Sequence, residues 1–392
     1  MKDRHQFATL AVHAGETPCP ATGALDTPIY QSTTFVAADA DEMAAVYGEE
    51  KFGYMYTRYG NPTIRALEQK VAALEQGEAA LAFASGMAAI SSAILGYVKA
   101  GDHVVAARSL YGAAYNFLNT KLPRMGAATT FVPSSRLEDF ERALRPNTRL
   151  IYFETPSNPT LEIVDIAALA AMAMARGIPT VIDNTFASPA LQRPLAHGVT
   201  VSVHSATKYL CGHGDAMGGM VVGPKDYISF LIHEIIRDFG GVISPFNAWL
   251  ILRGIRTLHL RMAAHCANAE RIAEFLSRHP RVEHVNYPGL PKHPGHETAK
   301  RQMTAFGAMI SFEVKGGYDS GKKVMDRVTL FARAASLGDT RSLIVHSAST
   351  SHRAVPRDQR LAIGITDGLV RLSVGVEAVE DLIADLDQAL SS

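Results

Sequence analysis

Residues 204–215, HSATKYLCGHGD, place a lysine between hydroxyl-bearing residues and a run rich in glycine. They continue from GVTVSVHS (198–205), whose β-branched residues predict a buried strand. A lysine is seldom buried unless a partner neutralises its amine or the chemistry uses it. We therefore expect Lys208 to serve the function of the protein, together with whatever other residues share its end of the strand.

Short apolar strands alternate with helical segments on the N-terminal side of that lysine. The alternation predicts a mostly parallel sheet with helices on both faces, in which ligands bind beyond the carboxyl ends of the strands. The predicted strands are EAALAFAS (78–85), DHVVAAR (102–108), TRLIYFE (148–154), IPTVIDN (178–184) and VTVSVHS (199–205), and the predicted helices are 86–98, 111–122 and 165–176.

The chain has 392 residues, which favours more than one domain. Residues 1–60 predict irregular structure and are rich in aromatic residues. From residue 61 onward the apolar residues have helical spacing, and the pair Asn61-Pro62 is typical of a helix start. Residues 246–279 predict one long helical stretch with a bend near Gly254, followed by strand-like GAMISFEV (307–314) and LVRLSVGVE (369–377) and a closing helix. We predict an N-terminal segment (1–60), an α/β domain (61–250) and a smaller C-terminal α+β domain (251–392).

Composition narrows the class of protein. Lys and Arg together number 38, as do Asp and Glu, so the net charge of zero does not indicate binding to nucleic acid or to an anionic membrane. No apolar run approaches the length of a membrane span. Three widely spaced cysteines form neither a disulfide framework nor a metal pair, which fits a reducing, cytoplasmic location.

Several familiar motifs fall short. HEIIR (233–237) has Arg where a zinc-protease helix needs a second His, and neither GxxxxGK[ST] nor GxSxG occurs. The histidines show no metal-ligand spacing, so we expect no metal site.

Polar side chains end three of the predicted strands. Asp183 closes TVID, IYFETPSNP runs into Asn158, and VSVHSATK delivers Ser205, Thr207 and Lys208. Upstream, AFASGMAAI passes through Ser85 and Gly86 into a helix whose free amides suit a phosphate. Each residue alone has a plainer interpretation as a cap, a turn or a solvated lysine, but all should meet at one sheet edge. An amine, an acid and a phosphate seat together match the needs of pyridoxal phosphate (PLP), with the lysine forming the Schiff base.

The chain resembles the Cys/Met-metabolism family of PLP enzymes, which includes cystathionine γ-synthase, cystathionine γ-lyase, methionine γ-lyase and the O-acylhomoserine sulfhydrylases. The resemblance extends from about Phe7 to Leu390, and within the family the chain is most similar to the bacterial methionine γ-lyases. It implies PLP-dependent transferase fold type I and a homotetramer, a dimer of dimers that shares active sites across the dimer interface. The matching motifs are YTRYGNPT (56–63), ASGMAAI (84–90), LYG (110–112), ETPSNPTLEIVDI (154–166), VIDNTFASP (181–189), HSATKYLCGHGD, SPFNAWLILRGIRTLHLRM (244–262) and LVRLSVGVE.

The resemblance also implies roles for particular residues. Lys208 would be the Schiff-base lysine and would move protons, while Tyr111 would stack on the ring and act as the acid for the leaving group. Arg371, with Ser336, would bind the substrate carboxylate as a bidentate fork. The implied cofactor contacts are Asp183 to the pyridine nitrogen, Asn158 to the ring oxygen, Ser85, Ser205, Thr207 and the amides of Gly86 and Met87 to the phosphate, and Tyr56 and Arg58 to the phosphate of the neighbouring subunit.

The resemblance predicts γ-elimination or γ-replacement on an amino acid of the methionine or homoserine type, hence a lyase of amino-acid metabolism or transsulfuration. Ala335 stands in ARAASLGDTRSL (332–343) where cystathionine-handling members typically have Glu, which counts against cystathionine. Ala113 replaces the Cys usual in methionine γ-lyases, and Arg237 and Asp238 stand near the entrance in place of a Lys-Asp pair.

Several alternatives stay open. An O-acetyl- or O-succinylhomoserine sulfhydrylase is the close rival, because its pocket needs no such Cys. Canavanine is a minority alternative, with Asp238 as the partner for its oxyguanidine. Cystathionine γ-synthase or γ-lyase is a second minority alternative, and a β-lyase and a PLP-free binding protein with the same fold are the remaining ones.

Overall fold

The computed structural model describes residues 5–133, 136–350, 353 and 356–391. Residues 1–4 and 392, at the ends of two predicted segments, lie outside the described residues. Tight or widened helical turns occupy Phe117–Lys121, Leu122–Met125, Pro194–His197 and Leu231–Ile236. The helices are α1 (Phe7–His13), α2 (Ala40–Tyr47), α3 (Pro62–Leu74), α4 (Gly86–Leu95), α5 (Gly112–Asn116), α6 (Leu137–Ala143), α7 (Ile166–Met174), α8 (Ser188–Leu191), α9 (Lys225–Phe230), α10 (Arg237–Phe239), α11 (Pro245–Ile255), α12 (Leu258–Arg278), α13 (His296–Gln302), α14 (Gly317–Arg327), α15 (Arg357–Ala362) and α16 (Val379–Ser391).

Two sheets organise the described chain. The strands of the two sheets are β1 (Ala79–Phe83), β2 (His103–Ala107), β3 (Ala128–Val132), β4 (Thr148–Glu154), β5 (Thr180–Asp183), β6 (Val201–Ser205), β7 (Gly219–Gly223), β8 (Val282–Asn286), β9 (Met309–Val314), β10 (Ala332–Arg333), β11 (Leu343–His346) and β12 (Leu369–Ser373). The first sheet has seven strands in the order β1-β7-β6-β5-β4-β2-β3, and every neighbouring pair is parallel except the two pairs that involve β7.

Register in the first sheet brings its functional strand ends together. Glu154 of β4 pairs with Asp183 of β5, and Asp183 pairs with Val203 of β6. Because β4, β5 and β6 are parallel, their carboxyl ends lie at one edge, as the strand pattern predicts.

The second sheet has the order β10-β11-β12-β9-β8 and is antiparallel except between β10 and β11. Helices α12 and α14 pack against it, and α16 packs against both helices. The predicted boundary at residue 250 falls within α11, which packs against α3, so the division into domains stays a prediction. Among the helices of the described chain, none is long and apolar enough to cross a membrane.

The stretch 246–279 is two helices rather than one. Helix α11 ends at Ile255 and α12 begins at Leu258, close to the bend predicted at Gly254. A Cβ at Gly254 would lie 2.1 Å from the carbonyl oxygen of Cys211, so glycine is required for α11 to approach the chain that follows Lys208. Arg261 reinforces the contact, because its guanidinium donates to the carbonyl oxygens of Tyr209 (2.9 Å) and Gly254 (2.7 Å).

A buried lysine fastens the N-terminal segment to the sheet domain. Lys70 of α3 has no exposed side-chain surface, and its ammonium donates to the carbonyls of Ala11 (2.8 Å) and Val12 (3.0 Å). Its counter-charge is Glu16, whose carboxylate lies 2.6 Å away and also pairs with Arg256. The cost of burying this ammonium is therefore offset by one carboxylate and two carbonyls.

We expect Glu16→Ala to lower the free energy of unfolding by about 3 kcal/mol, because it leaves a buried ammonium without its counter-charge. Urea titrations followed by circular dichroism measure the loss. Glu297→Ala is the control, since that side chain is 76% exposed and lies 3.9 Å from the imidazole of His296. Equal stability of the two variants would contradict the assigned role of Glu16.

Candidate active site

Lys208 stands in the turn that follows β6, and its amine is largely withdrawn from water. Its Nζ donates a hydrogen bond to the hydroxyl of Ser336, 2.9 Å away. Burial lowers the pKa of Lys208, and the nearby guanidinium of Arg371 lowers it further. Both effects favour the neutral amine, which is the nucleophilic form.

Asp183, at the end of β5, is buried with 4% of its surface exposed. Burial raises the pKa of Asp183, while hydrogen bonds from Thr185 and the proximity of His204 act in the opposite direction. The backbone N–H of Thr185 donates to Asp183 Oδ1 at 2.9 Å, and the Thr185 hydroxyl accepts from the N–H of Ser205 at 2.8 Å. Thr185 thus links the acid of β5 to the end of β6.

The start of α4 packs directly on the end of β6. A Cβ at Gly86 would lie 2.7 Å from the Cβ of Ser205, so only glycine permits this approach. Ser85 caps the helix, its hydroxyl accepting from Ala88 N at 3.1 Å, and Met87 follows in the first turn. The Thr207 hydroxyl lies 3.2 Å from the carbonyl oxygen and 3.1 Å from the amide nitrogen of Gly218. Ser85, Gly86 and Met87 at the start of α4 therefore lie close to Ser205 at the end of β6, and Thr207 follows two residues later.

Arg371 of β12 joins the second sheet to this edge. Its Nη1 donates to Asn158 Oδ1 (2.9 Å) and its Nη2 to the carbonyl oxygen of Ser336 (3.1 Å). Its Nε is buried without a hydrogen-bond partner among the described residues. Burial lowers the pKa of Arg371 to about 10, which still leaves the guanidinium charged at neutral pH.

A cavity of about 610 Å³ opens beside these groups. Tyr111, Asn158, Ala335 and Arg371 line it, and Lys208 is connected to the lining residue Arg371 through Ser336, to which both donate hydrogen bonds. Tyr111 is 45% exposed, and its backbone N–H donates to the carboxyl of Glu154 at 2.7 Å. The remaining lining residues are Arg108, Ser109, Leu110, Gly112, Ala113, Tyr115, Asn116, Pro159, Val345, Ser347, Pro356, Ile363 and Ile365.

Tyr56 and Arg58 form a separate cluster. The Arg58 guanidinium lies 5.1 Å from the ring centroid of Tyr56 and 5.2 Å from that of Tyr59. Neither Tyr56 nor Arg58 is among the described residues that line the cavity of their own chain.

Sequence reasoning did not single out two residues that the site contains. Glu154 ends β4 as Asp183 ends β5, so the strand-end argument that found Asp183 could have found it as well. Thr185 carries no comparable signal, because its role depends on which strand lies beside it. In the part of the chain that the structure describes, no group of three or more His, Cys, Asp or Glu could hold a metal ion.

Known proteins match the whole chain. It is 50% identical over 386 residues to an L-methionine gamma-lyase of Fusobacterium nucleatum, covering 98% of each sequence. It is 42% identical over 425 residues to an O-acetyl-L-homoserine sulfhydrylase of Leptospira meyeri, covering 98% of this chain and 96% of that one. The crystal structure of metB from Corynebacterium glutamicum superimposes with a TM-score of 0.95 at 43% identity, covering 100% and 99% of the two chains. The predicted fold class is thereby confirmed.

The profile of the family described as Cys/Met metabolism PLP-dependent enzyme matches residues 8–391. Both the predicted resemblance and the predicted cofactor are confirmed by this match. The chain therefore belongs to the Cys/Met metabolism family of PLP-dependent enzymes, and its cofactor is pyridoxal 5'-phosphate.

Proposed function

We propose that the protein catalyses γ-elimination on a γ-substituted L-amino acid of the methionine or homoserine type, as a methionine γ-lyase does. One observation carries the proposal. Arg371, a guanidinium with a buried and unpartnered Nε that lines the cavity, and the part-buried amine of Lys208 both donate hydrogen bonds to Ser336, to its carbonyl oxygen and its hydroxyl respectively. A site built this way suits an amino acid, whose carboxylate the guanidinium binds while its Cα faces the amine.

The residues of the sheet edge fit the cofactor. Gly86 leaves open the approach that a Cβ would fill, so the α4 amides and Ser205 can face one phosphate. Asp183 is a buried carboxyl whose hydrogen bonds from Thr185 favour its charged form, as a pyridine nitrogen partner needs. The residues proposed to hold the cofactor are Lys208 covalently, Asp183 at the ring nitrogen, Asn158 at the ring oxygen, Tyr111 against the ring, and Ser85, Gly86, Met87, Ser205 and Thr207 at the phosphate.

When bound, pyridoxal 5'-phosphate supplies an electron sink for the electron pair left on Cα when its proton departs. Lys208 Nζ, freed by the substrate amine, would accept the Cα proton, release it to the cofactor and, as a neutral amine again, accept a proton from Cβ. The Tyr111 hydroxyl donates a proton to the γ substituent as its bond to Cγ breaks. Arg371 and Ser336 hold the substrate carboxylate and so keep Cα at the lysine.

The residues that line the cavity favour some γ substituents over others. The apolar wall of the cavity includes Ala113, Ala335, Val345, Ile363 and Ile365, and the charged residues among the described lining are the cations Arg108 and Arg371. An uncharged thioether or ester fits this wall better than the ammonium of cystathionine or the oxyguanidine of canavanine. Asp238, the partner considered for canavanine, pairs with Arg237 at 3.2 Å and is 59% exposed.

The second candidate is an O-acetyl- or O-succinylhomoserine sulfhydrylase that makes homocysteine. The observation in its favour is Ala113 in the cavity wall, where a lyase for methionine would be expected to present a thiol. The likeness to the Leptospira meyeri sulfhydrylase supports the same alternative.

We also propose a homotetramer, a dimer of dimers, in which the N-terminal segment 1–60 reaches the neighbouring subunit. Apolar side chains of that segment are exposed in the single chain, with Leu25 at 80%, Phe52 at 66% and Val36 fully exposed. Surfaces of this kind are typical of protein contacts. The separate cluster of Tyr56 and Arg58 would then complete the partner's phosphate site, and the free cysteines fit a cytoplasmic location.

A substrate panel tests the proposed activity directly. We expect 2-oxobutyrate and a thiol from methionine or homocysteine without added sulfide, because the apolar wall accepts an uncharged γ substituent. Homocysteine formed only from an acylhomoserine plus sulfide would favour the sulfhydrylase, and pyruvate from cystathionine would indicate a β-lyase. Canavanine, cystathionine and both acylhomoserines complete the panel, with 2-oxo acids and thiols identified by mass spectrometry.

Co-expression of two inactive variants tests the shared site. Lys208→Ala and Arg58→Ala should each be inactive alone, but a mixed dimer contains one site with both native residues. Statistical mixing then restores roughly a quarter of the native activity, because half of the dimers are mixed and half of their sites are intact. Co-expressed chains that stay inactive would show that each site uses Arg58 of its own chain.

A further inference from the structure

A second buried carboxyl stands beside Asp183 at the cofactor edge of the sheet. Glu154 is the register partner of Asp183, and paired residues on parallel strands face the same side of the sheet. The Cβ atoms of such a pair are about 5 Å apart. The exposed fractions are 3% for Glu154 and 4% for Asp183. Two ionised carboxylates this close and this dry repel each other strongly, so one of them carries a proton.

The surroundings decide which carboxyl is neutral. Asp183 accepts a hydrogen bond from Thr185 and is the proposed partner of the pyridine nitrogen, both of which favour its charged form. Three groups lie near Glu154: Asp183 on β5, Tyr152 on the same strand as Glu154, and the cation Arg371 on β12. Burial and the charge of Asp183 together raise the pKa of Glu154 well above its usual range, although the hydrogen bond from the Tyr111 N–H and the charge of Arg371 both act to lower it. The proton therefore resides on Glu154.

Glu154 also holds the backbone of the proposed acid. Its Oε2 accepts from the N–H of Tyr111 at 2.7 Å, at the residue where α5 begins. Further hydrogen bonds join the hydroxyl of Ser109 to the hydroxyls of Ser157 (3.0 Å) and Thr160 (2.9 Å). The loop that carries Tyr111 is thereby fastened to the loop that carries Asn158.

We propose that Glu154 is a positioning residue: as a neutral carboxylic acid it holds the Tyr111 backbone, and thus the ring, without placing a second negative charge beside Asp183. The inference rests on the proposed roles of Tyr111 and Asp183. Because Glu154 acts through Tyr111, its loss should alter turnover and the environment of the cofactor more than substrate binding.

The test compares Glu154→Gln with Glu154→Ala in the holoenzyme. Gln keeps an acceptor oxygen and is neutral, so we expect kcat within about threefold of native and an unchanged visible absorption spectrum. Ala removes the acceptor, so kcat should fall about a hundredfold with a much smaller change in KM. The Ala variant should also show a shifted absorption band and weaker cofactor binding in a titration of the apoenzyme. Glu154→Met, similar in length but without an acceptor, replaces the Ala variant if that variant does not fold.

Each outcome is decisive. Equal impairment of the Gln and Ala variants would overturn the neutral state of Glu154, because Gln has the shape, the acceptor oxygen and the zero charge of a neutral Glu and would differ in charge only from an ionised one. Native kcat, spectrum and cofactor affinity in the Ala variant would overturn the positioning role. Tyr111→Phe separates this inference from the proposed function: an unimpaired Phe variant refutes Tyr111 as the acid, while the spectrum and cofactor affinity of the Glu154 variants still decide the role of Glu154.

Discussion

The cost of removing charge from water is the constraint on which the candidate site depends. One sheet edge gathers Lys208, Asp183 and Glu154, and Arg371 reaches it from the second sheet; burial shifts the pKa of all four groups. Such groups persist only when each is paired, neutralised or awaiting a ligand. Burial pushes Lys208, Asp183 and Glu154 toward their neutral forms, whereas Arg371 stays charged. A pyridinium beside Asp183 and a carboxylate beside Arg371 are partners that would stabilise the charged forms of both, so the site suits an amino acid and pyridoxal phosphate.

The fold supplies the edge and fixes what stands on it. Parallel pairing of β4, β5 and β6 brings their ends together, and Thr185 holds β5 to β6 through a side-chain hydrogen bond. Glycine at residue 86 lets α4 contact Ser205, while Gly254 and Arg261 press α11 and α12 against the chain after Lys208. The second sheet then adds Arg371 and Ser336. The positions of the reacting side chains are therefore fixed mainly by contacts of the backbone, and less by contacts that these side chains make with one another.

Strand periodicity was sufficient to predict the parallel sheet, and strand-end chemistry selected Lys208, Asp183 and the helix start at Ser85 as candidate site residues. Family resemblance added Tyr111 and Arg371, and the distance of Arg371 from Lys208 along the chain hides that both contact Ser336. Neither source revealed that Glu154 neighbours Asp183, because strand register is a tertiary property that one sequence does not encode locally. The break between α11 and α12 was expected near Gly254, but the close approach of that glycine to the carbonyl of Cys211 was not, because Cys211 belongs to a segment more than forty residues earlier.

The most direct test of the account locates the cofactor on the chain. Borohydride treatment of the holoenzyme, followed by proteolysis and mass spectrometry, should find the phosphopyridoxyl group on the peptide that contains Lys208, with loss of the yellow colour. The same treatment of Lys208→Ala should leave no labelled lysine. A label on a different lysine, or none on the native protein, would contradict the claim that this sheet edge is the catalytic centre.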